Sequence, residues 1–293
     1  MNNTNTQIHS TPLPTREEQG GGSSRVSTYL FTVEPFHVDF TGHLFLGVLG
    51  NHLLNAAGRH SHDRGWGIDQ LNERHYTWVL SRMSIELSEM PAQYEHVEVE
   101  TWVESVMKLF TERNFLIRNA DDGRIYGYAR SIWAMIDVET RQPSNLLALK
   151  GGDILNYVIP AEEKPCPIDK FAARVRFAGE GTTSDVATHY SDVDINGHIN
   201  SIKYIEHILD IFPREQFEQH RIRRFDIGYK VESYLGDVLQ IKHERLAANN
   251  EGSTSVDDAA TARDEDLIEI RKHVGSADKP AGEVVVQAKL IWE

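Results

Sequence analysis

The chain has 293 residues and a single cysteine, Cys166. No disulfide can form within it, which favours a reducing compartment, and the cytoplasm is the simplest expectation. No apolar run approaches the length needed to span a bilayer, so no membrane role is expected. The opening stretch MNNTNTQIHSTPLPTREEQGGGSSRVST lacks the apolar segment of a secretory signal, and Glu17 and Glu18 do not suit a transit peptide. Basic residues are outnumbered: 30 Lys and Arg stand against 44 Asp and Glu, for a net charge of −14. Such a chain repels phosphate backbones, so nucleic-acid binding is not expected. The sequence has no G-x-S-x-G elbow, no P-loop and no glycine-rich dinucleotide fingerprint. No cofactor is expected.

What remains is an ordinary globular composition, 40% hydrophobic and 25% charged, in a chain long enough for about two domains. Two short patterns recur in register. GRIYGYARSIW (123–133) and GEVVVQAKLIW (282–292) share G-x-[IV]-x-x-x-A-[RK]-x-I-W at an offset of 159. DFTGH (39–43) and DINGH (194–198) share D-x-[TN]-G-H at an offset of 155. Two matches in the same order at nearly one offset indicate two copies of one fold. The expected division is a disordered tail 1–27, a first domain 28–148, a linker 149–168 and a second domain 169–293.

Each copy reads as an aspartate-containing turn, then a helix (about 43–60 and 198–212), then several strands. The strands of the first copy are TWVLSRMSIEL, EHVEVETWVE, KLFTERNFLIR and RIYGYARSIWAMID. Those of the second are RIRRFDIGYKV, DVLQIKHERL, DLIEIRKHV and EVVVQAKLIW. Their alternation and their Val, Ile, Trp and Tyr content predict strands with one wet face and one covered face. Ile202, Ile205, Ile208, Leu209 and Phe212 largely fit one helical stripe, which supplies the cover. The class is therefore α+β, an antiparallel sheet with one long helix across it, made twice.

The prolines of PAEEKPCPID suit an extended linker, and Cys166 between two of them is read as incidental. The stretch 247–264 reads as a loop between two strands. HSHD at 60–63 lacks a matching cysteine or carboxylate cluster, so no metal is expected. HRIRRF at 220–225 is a basic patch, read equally as a solvated strand face or as a dock for an acidic partner.

DVDINGHIN (192–200) concentrates two aspartates, two asparagines and a histidine ahead of the second helix. Part of this is architecture, because Asn-Gly favours a tight turn and Asp and Asn cap helices. The first copy keeps Asp39, Gly42 and His43 but has Thr41 where the second has Asn196. It continues with Phe45-Leu46-Gly47 where the second has Asn200, and Tyr204 follows. Sliding RMSIELSEM (82–90) against RFDIGYKVE (224–232) sets Glu232 opposite Met90. One copy is polar-equipped and the other apolar, which suggests chemistry in the second and an apolar ligand in the first.

The stretch Asp192–Asn200 resembles the D-x-D-x-x-G-H-[VI]-N turn of hotdog-fold thioesterases. WVLSRMSIEL (78–87), VEVETWVES (97–105) and YKVES (229–233) are similar to strands of the acyl-acyl carrier protein (acyl-ACP) thioesterases of plant and bacterial fatty-acid synthesis. The resemblance covers about 28–293 and implies two tandem hotdog domains, each an antiparallel sheet wrapped around one long helix. It also implies hydrolysis of acyl-ACP to a free fatty acid. Asp194, Asn196, His198 and Glu232 are the catalytic candidates. Asn200, Tyr204, Leu80 and Met83 are the substrate-binding candidates. An acidic carrier protein with its phosphopantetheine-linked chain is the implied partner, with Lys203, Arg223, Arg224 and Lys230 as docking residues. A monomer or a homodimer is compatible. Ser201 departs from a second asparagine of the family pattern, and Ser233 from a cysteine. A water nucleophile is therefore preferred, with Asp194 orienting the site or itself attacking. An acyl-CoA thioesterase and a non-catalytic acyl or carrier binder are the alternatives, with a dehydratase more distant.

Overall fold

A computed structural model describes residues 24–170, 175–177, 179, 181–246, 264–272 and 282–293. The first half comprises β1 (Val26–Thr32), α1 (Leu46–His62), α2 (Ile68–Asn72), β2 (Tyr76–Leu87), β3 (His96–Val106), β4 (Phe110–Asn119) and β5 (Ile125–Asp137). The second comprises β6 (Thr182–Ala187), α3 (Ser201–Leu209), α4 (Arg214–Gln219), β7 (Ile222–Tyr229), β8 (Val238–Leu246), β9 (Glu265–Lys272) and β10 (Glu283–Trp292). All ten strands form one antiparallel sheet in the order β1-β3-β4-β5-β2-β7-β10-β9-β8-β6. The order mirrors itself about the β2–β7 seam. The two copies of the repeat have become two halves of one sheet.

The seam pairs Arg82 with Gly228, Met83 with Ile227, Ser84 with Asp226, Ile85 with Phe225 and Glu86 with Arg224. The sequence slide that sets Met90 against Glu232 also sets Ser84 against Asp226. These two are partners across the seam, so a local twofold axis passes between them. Met83, Ile85, Phe225 and Ile227 point to the helix side and join the buried core. That core also takes Leu46, Leu49 and Leu53 of α1 and Ile202, Ile205 and Ile208 of α3, so the halves share one apolar interior. Close approach of the helices rests on small residues of α1: a Cβ on Gly50 would lie 2.7 Å from Ile202 Cδ1.

The opposite face of the seam is polar. Arg224 Nε donates to both oxygens of Asp226, at 3.0 and 3.1 Å, and Nη1 to Glu86 at 2.9 Å. Its Nη2 reaches the Asp169 carbonyl at 3.0 Å, which ties in the segment joining the halves. That segment is more structured than a spacer. Short 3-10 turns occupy Leu146–Tyr157, with left-handed backbone at Lys150, Gly151 and Gly152. Beyond them, Ile159, Cys166 and Ile168 pack with Trp102, because this sheet face offers apolar side chains that need cover.

Several expected boundaries shift for local reasons. β1 begins at Val26, inside the predicted tail; residues 1–23 of that tail lie outside the described residues. β1 and β6 are edge strands with little fully buried surface, so neither carries a strong apolar signal. Both helices start about three residues late, since His43 and Leu44, like Ile199, are held in β-bridges first. Of the predicted loop 247–264, residues 247–263 lie outside the described residues.

Asp226 is buried at the seam and neutralises a buried guanidinium. Asp226→Ala leaves Arg224 dependent on Glu86 and should destabilise the fold by about 3 kcal/mol in urea denaturation. A loss within the scatter of surface substitutions would show that the seam does not depend on this pair.

Candidate active site

Two turns of identical design open the two helices. In the second half Asp194 N–H donates to His198 O at 2.8 Å and Gly197 N–H to Asp194 O at 3.0 Å. In the first half Asp39 N–H donates to His43 O at 2.9 Å and Gly42 N–H to Asp39 O at 3.0 Å. Gly197 and Gly42 have φ of +81° and +79°, with nothing within 4 Å of an added Cβ. Glycine is required here by backbone conformation and not by space. Asp194 Oδ1 accepts from the N–H groups of Asn196 and His198, at 2.8 and 3.2 Å. Asp39 Oδ1 accepts from Thr41 N–H at 2.7 Å in the same way. The aspartate therefore builds the turn in both halves.

What differs is what the turn carries. His198 Nε2 lies 3.4 Å from Glu232 Oε2. Glu232 follows β7 on a segment fixed at several points: Lys230 N–H donates to Val285 O, Ile199 N–H to Ser233 O, and Lys272 Nζ to Glu232 O. The other oxygen of Glu232 pairs with Arg141, which comes from the turn after β5 in the first half. Arg141 has φ of +58°, uncommon for a residue with a side chain. Asp137 holds that turn by accepting from Glu139 N–H, Thr140 N–H and the Thr140 hydroxyl. The Tyr234 ring meets the His198 ring edge-on at 5.2 Å.

Burial pushes the His198 imidazole below its ordinary value; Asp194 opposes this and the Arg141 cation adds to the lowering. The ring is thus neutral at pH 7, free to accept a proton.

Asp194, Asn196, His198, Asn200, Tyr204 and Glu232 all line one cavity of about 1090 Å³. It runs into the first half past Leu54 and Ala57 of α1 and Leu80 and Trp133 of the sheet. Asn196 is exposed at its rim. Asn200 caps α3, its Oδ1 accepting from Ile202 N–H at 2.9 Å. Tyr204 is almost fully buried, with its hydroxyl beside the buried Ser233. Ser233 is absent from the cavity wall. Met83, expected beside Leu80, is also absent: the bulge between Leu80 and Arg82 keeps the two on one face, but Met83 lies further along β2, sealed in the core opposite Ile227 of the seam.

The docking candidates do not form one set. Arg224 is buried and consumed by Asp226 and Glu86, which removes it from any docking surface. Arg223 pairs with Glu86 and lies near Glu293. Lys203 pairs with Glu206 at 2.5 Å. Lys230 lines the cavity. The basic run of β7 is largely a seam device. Arg141 was not foreseen, since nothing in ETRQP marks a partner 91 residues away.

Two fused hotdog halves, one with a polar-equipped turn at the mouth of a cavity in the other, define the thioesterase-type tandem hotdog class. The model of the acyl-ACP thioesterase N-terminal domain matches residues 25–148 and that of the C-terminal domain residues 177–293. This chain belongs to the acyl-ACP thioesterase family. A solved acyl-ACP thioesterase from Bacteroides thetaiotaomicron is 49% identical, over 92% of this chain and 98% of that one, with a TM-score of 0.76. A dodecanoyl-[acyl-carrier-protein] hydrolase of Cinnamomum camphora is 30% identical over 65% of this chain and 52% of its own length. The 12:0-ACP thioesterase from Umbellularia californica, at 21% identity, shares the fold over 93% of this chain and 95% of its own, with a TM-score of 0.75. The match spans little more than half the length of the plant relatives. No helix among the described residues is long and apolar enough to cross a membrane.

His198 should titrate below the usual histidine range in an NMR pH series. Arg141→Ala should move that titration upward, because it removes a repelling cation and frees Glu232 to favour the imidazolium. An unchanged or lower value would contradict the assigned geometry.

Proposed function

We propose that the chain hydrolyses the thioester of acyl-ACP, releasing a free fatty acid and the carrier thiol, and so ends chain elongation in fatty-acid synthesis. The observation that carries this reading is the His198–Glu232 pair at the mouth of a cavity whose walls come mostly from the other half. The acyl chain lies along Leu54, Ala57, Leu80 and Trp133, with its carbonyl at the turn.

The His198–Glu232 pair is the base. It takes a proton from water as the oxygen attacks the thioester carbon and the carbonyl π electrons move onto oxygen. The Asn196 amide and the amino end of α3 face the developing oxyanion, where dipoles aimed at new negative charge lower the barrier. As the intermediate collapses, the C–S bond breaks, the electron pair leaves on sulfur, and the pair returns its proton to the thiolate. Asp194 orients the turn; its Oδ1 is held by two N–H groups, which favours this role over attack on the substrate. Ser233, away from the cavity, is not the nucleophile. Arg141 is a positioning residue that holds Glu232 aimed at His198.

Purified protein given a panel of acyl-ACPs, with acyl-CoAs in parallel, should release thiol from the former at higher kcat/KM. His198→Ala should lower kcat by about 100- to 10,000-fold, and Asn196→Ala by about 100- to 1,000-fold. Full activity in both His198→Ala and Asp194→Ala would sink the mechanism.

The carrier is the proposed partner, and Lys230 at the cavity and Lys203 on α3 remain proposed contacts. If charge guides docking, KM for acyl-ACP rises with salt while kcat holds. A KM indifferent to salt would mean that docking is not electrostatic.

A further inference from the structure

The far end of the cavity is not hydrocarbon. On β4, Arg113, Phe115 and Ile117 alternate onto the helix-facing side of the sheet. Phe115 and Ile117 are fully buried in the apolar core, and Arg113, 5% exposed, breaks the stripe with a charge. Arg113 lines the cavity together with His60, Ser61 and Arg64 of the α1 end. It lies three strand spacings from β7, roughly 14 Å across the sheet.

No carboxylate balances it among the described residues. Nη1 donates to Thr101 Oγ1 at 3.2 Å, and Nη2 to Ser61 Oγ at 3.1 Å and His60 Nδ1 at 3.3 Å. His60 accepts there because its Nε2–H is spent on the Arg25 carbonyl, at 3.1 Å. Burial and the Arg113 cation push His60 down to about 2, so it stays neutral and contributes no counter-charge. Arg64 adds a second cation and leaves its Nε–H buried without an acceptor. Three of the five guanidinium N–H groups of Arg113 meet neutral acceptors, and its charge is left over. A methyl-ended chain reaching this point would press hydrocarbon on an unpaired buried cation, which is unfavourable.

We propose that the inner end of the cavity is a subsite for an oxygen on the acyl chain remote from the thioester, a carboxylate most strongly and a hydroxyl less so, received by Arg113. The proposal rests on reading the cavity as the acyl slot. It adds a substrate class: acyl chains that are oxygenated at their far end.

The test compares saturated, terminal-hydroxy and terminal-carboxy acyl-ACPs across a ladder of chain lengths. At the length that reaches Arg113, kcat/KM for the carboxy chain should exceed that for the saturated chain by about 10- to 100-fold, with the hydroxy chain between. Arg113→Met should abolish the preference while saturated chains are still hydrolysed, and Arg113→Lys should keep part of it. Equal turnover of all three classes by the wild-type protein at every length overturns the subsite and leaves the thioesterase reading standing. That comparison needs no variant to fold. A preference that survives in Arg113→Met also overturns it. Failure to cleave any acyl-ACP, saturated ones included, overturns the thioesterase reading and the subsite with it.

Discussion

The pairing of β2 with β7 is the constraint on which the rest of the molecule depends. Without it there are two sheets, each with an unpaired edge and a helix covering its own half. With it there is one sheet, one core, and a fixed offset between the turn of one half and the cavity of the other. The seam is set by apolar pairs on the helix side and by the Arg224–Asp226–Glu86 cluster on the other. A one-residue slip would turn that cluster into the core and the core residues out. The charged cluster therefore fixes register as well as contributing energy, a use that suits buried ion pairs better than stability does.

The consequences reach the site directly. Glu232 arrives on the chain just past β7, and Arg141 on the turn just past β5, the neighbour of β2. A change in register would part the two. The Arg141–Glu232 contact joins residues of opposite halves, so the polar cluster at the cavity mouth is complete only when the seam is formed. Repetition also explains why one turn is equipped and the other is not. Asp39 and Gly42 reproduce the hydrogen bonds of Asp194 and Gly197, so the turn is the price of entering either helix. Asn196 and Glu232 are additions to it.

Much of this was legible because it is local or repeated. The matched D-x-[TN]-G-H and G-x-[IV]-x-x-x-A-[RK]-x-I-W patterns disclosed the duplication, and the Met90–Glu232 alignment found a carboxylate that lies far from the turn in sequence. What the sequence hid is of two kinds. Edge strands such as β6 bury little, so their apolar signal is weak. Partners across the seam leave no periodicity, so Arg223 and Arg224 read as a docking patch when Glu86 of the other half was already their partner. Met83 was misplaced for the same reason: it packs against Ile227 across the seam, and nothing in WVLSRM announces that partner.

Two of the arginines that line the cavity, Arg141 and Arg113, show how the same chemistry serves opposite ends. Arg141 is half-exposed, meets a carboxylate and adds to the lowering of the His198 imidazole, which the proposed mechanism needs neutral. Arg113 is buried, meets only neutral acceptors and keeps its charge unspent beside a histidine that cannot share it. An unpaired charge in an apolar wall is costly, and the neutral acceptors at the end of α1 offset only part of that cost. A slot that needed only to hold methylene groups would be better lined by another Phe or Ile, as β4 supplies two and four residues further on. Retaining a cation there makes physical sense if its missing partner arrives with the substrate.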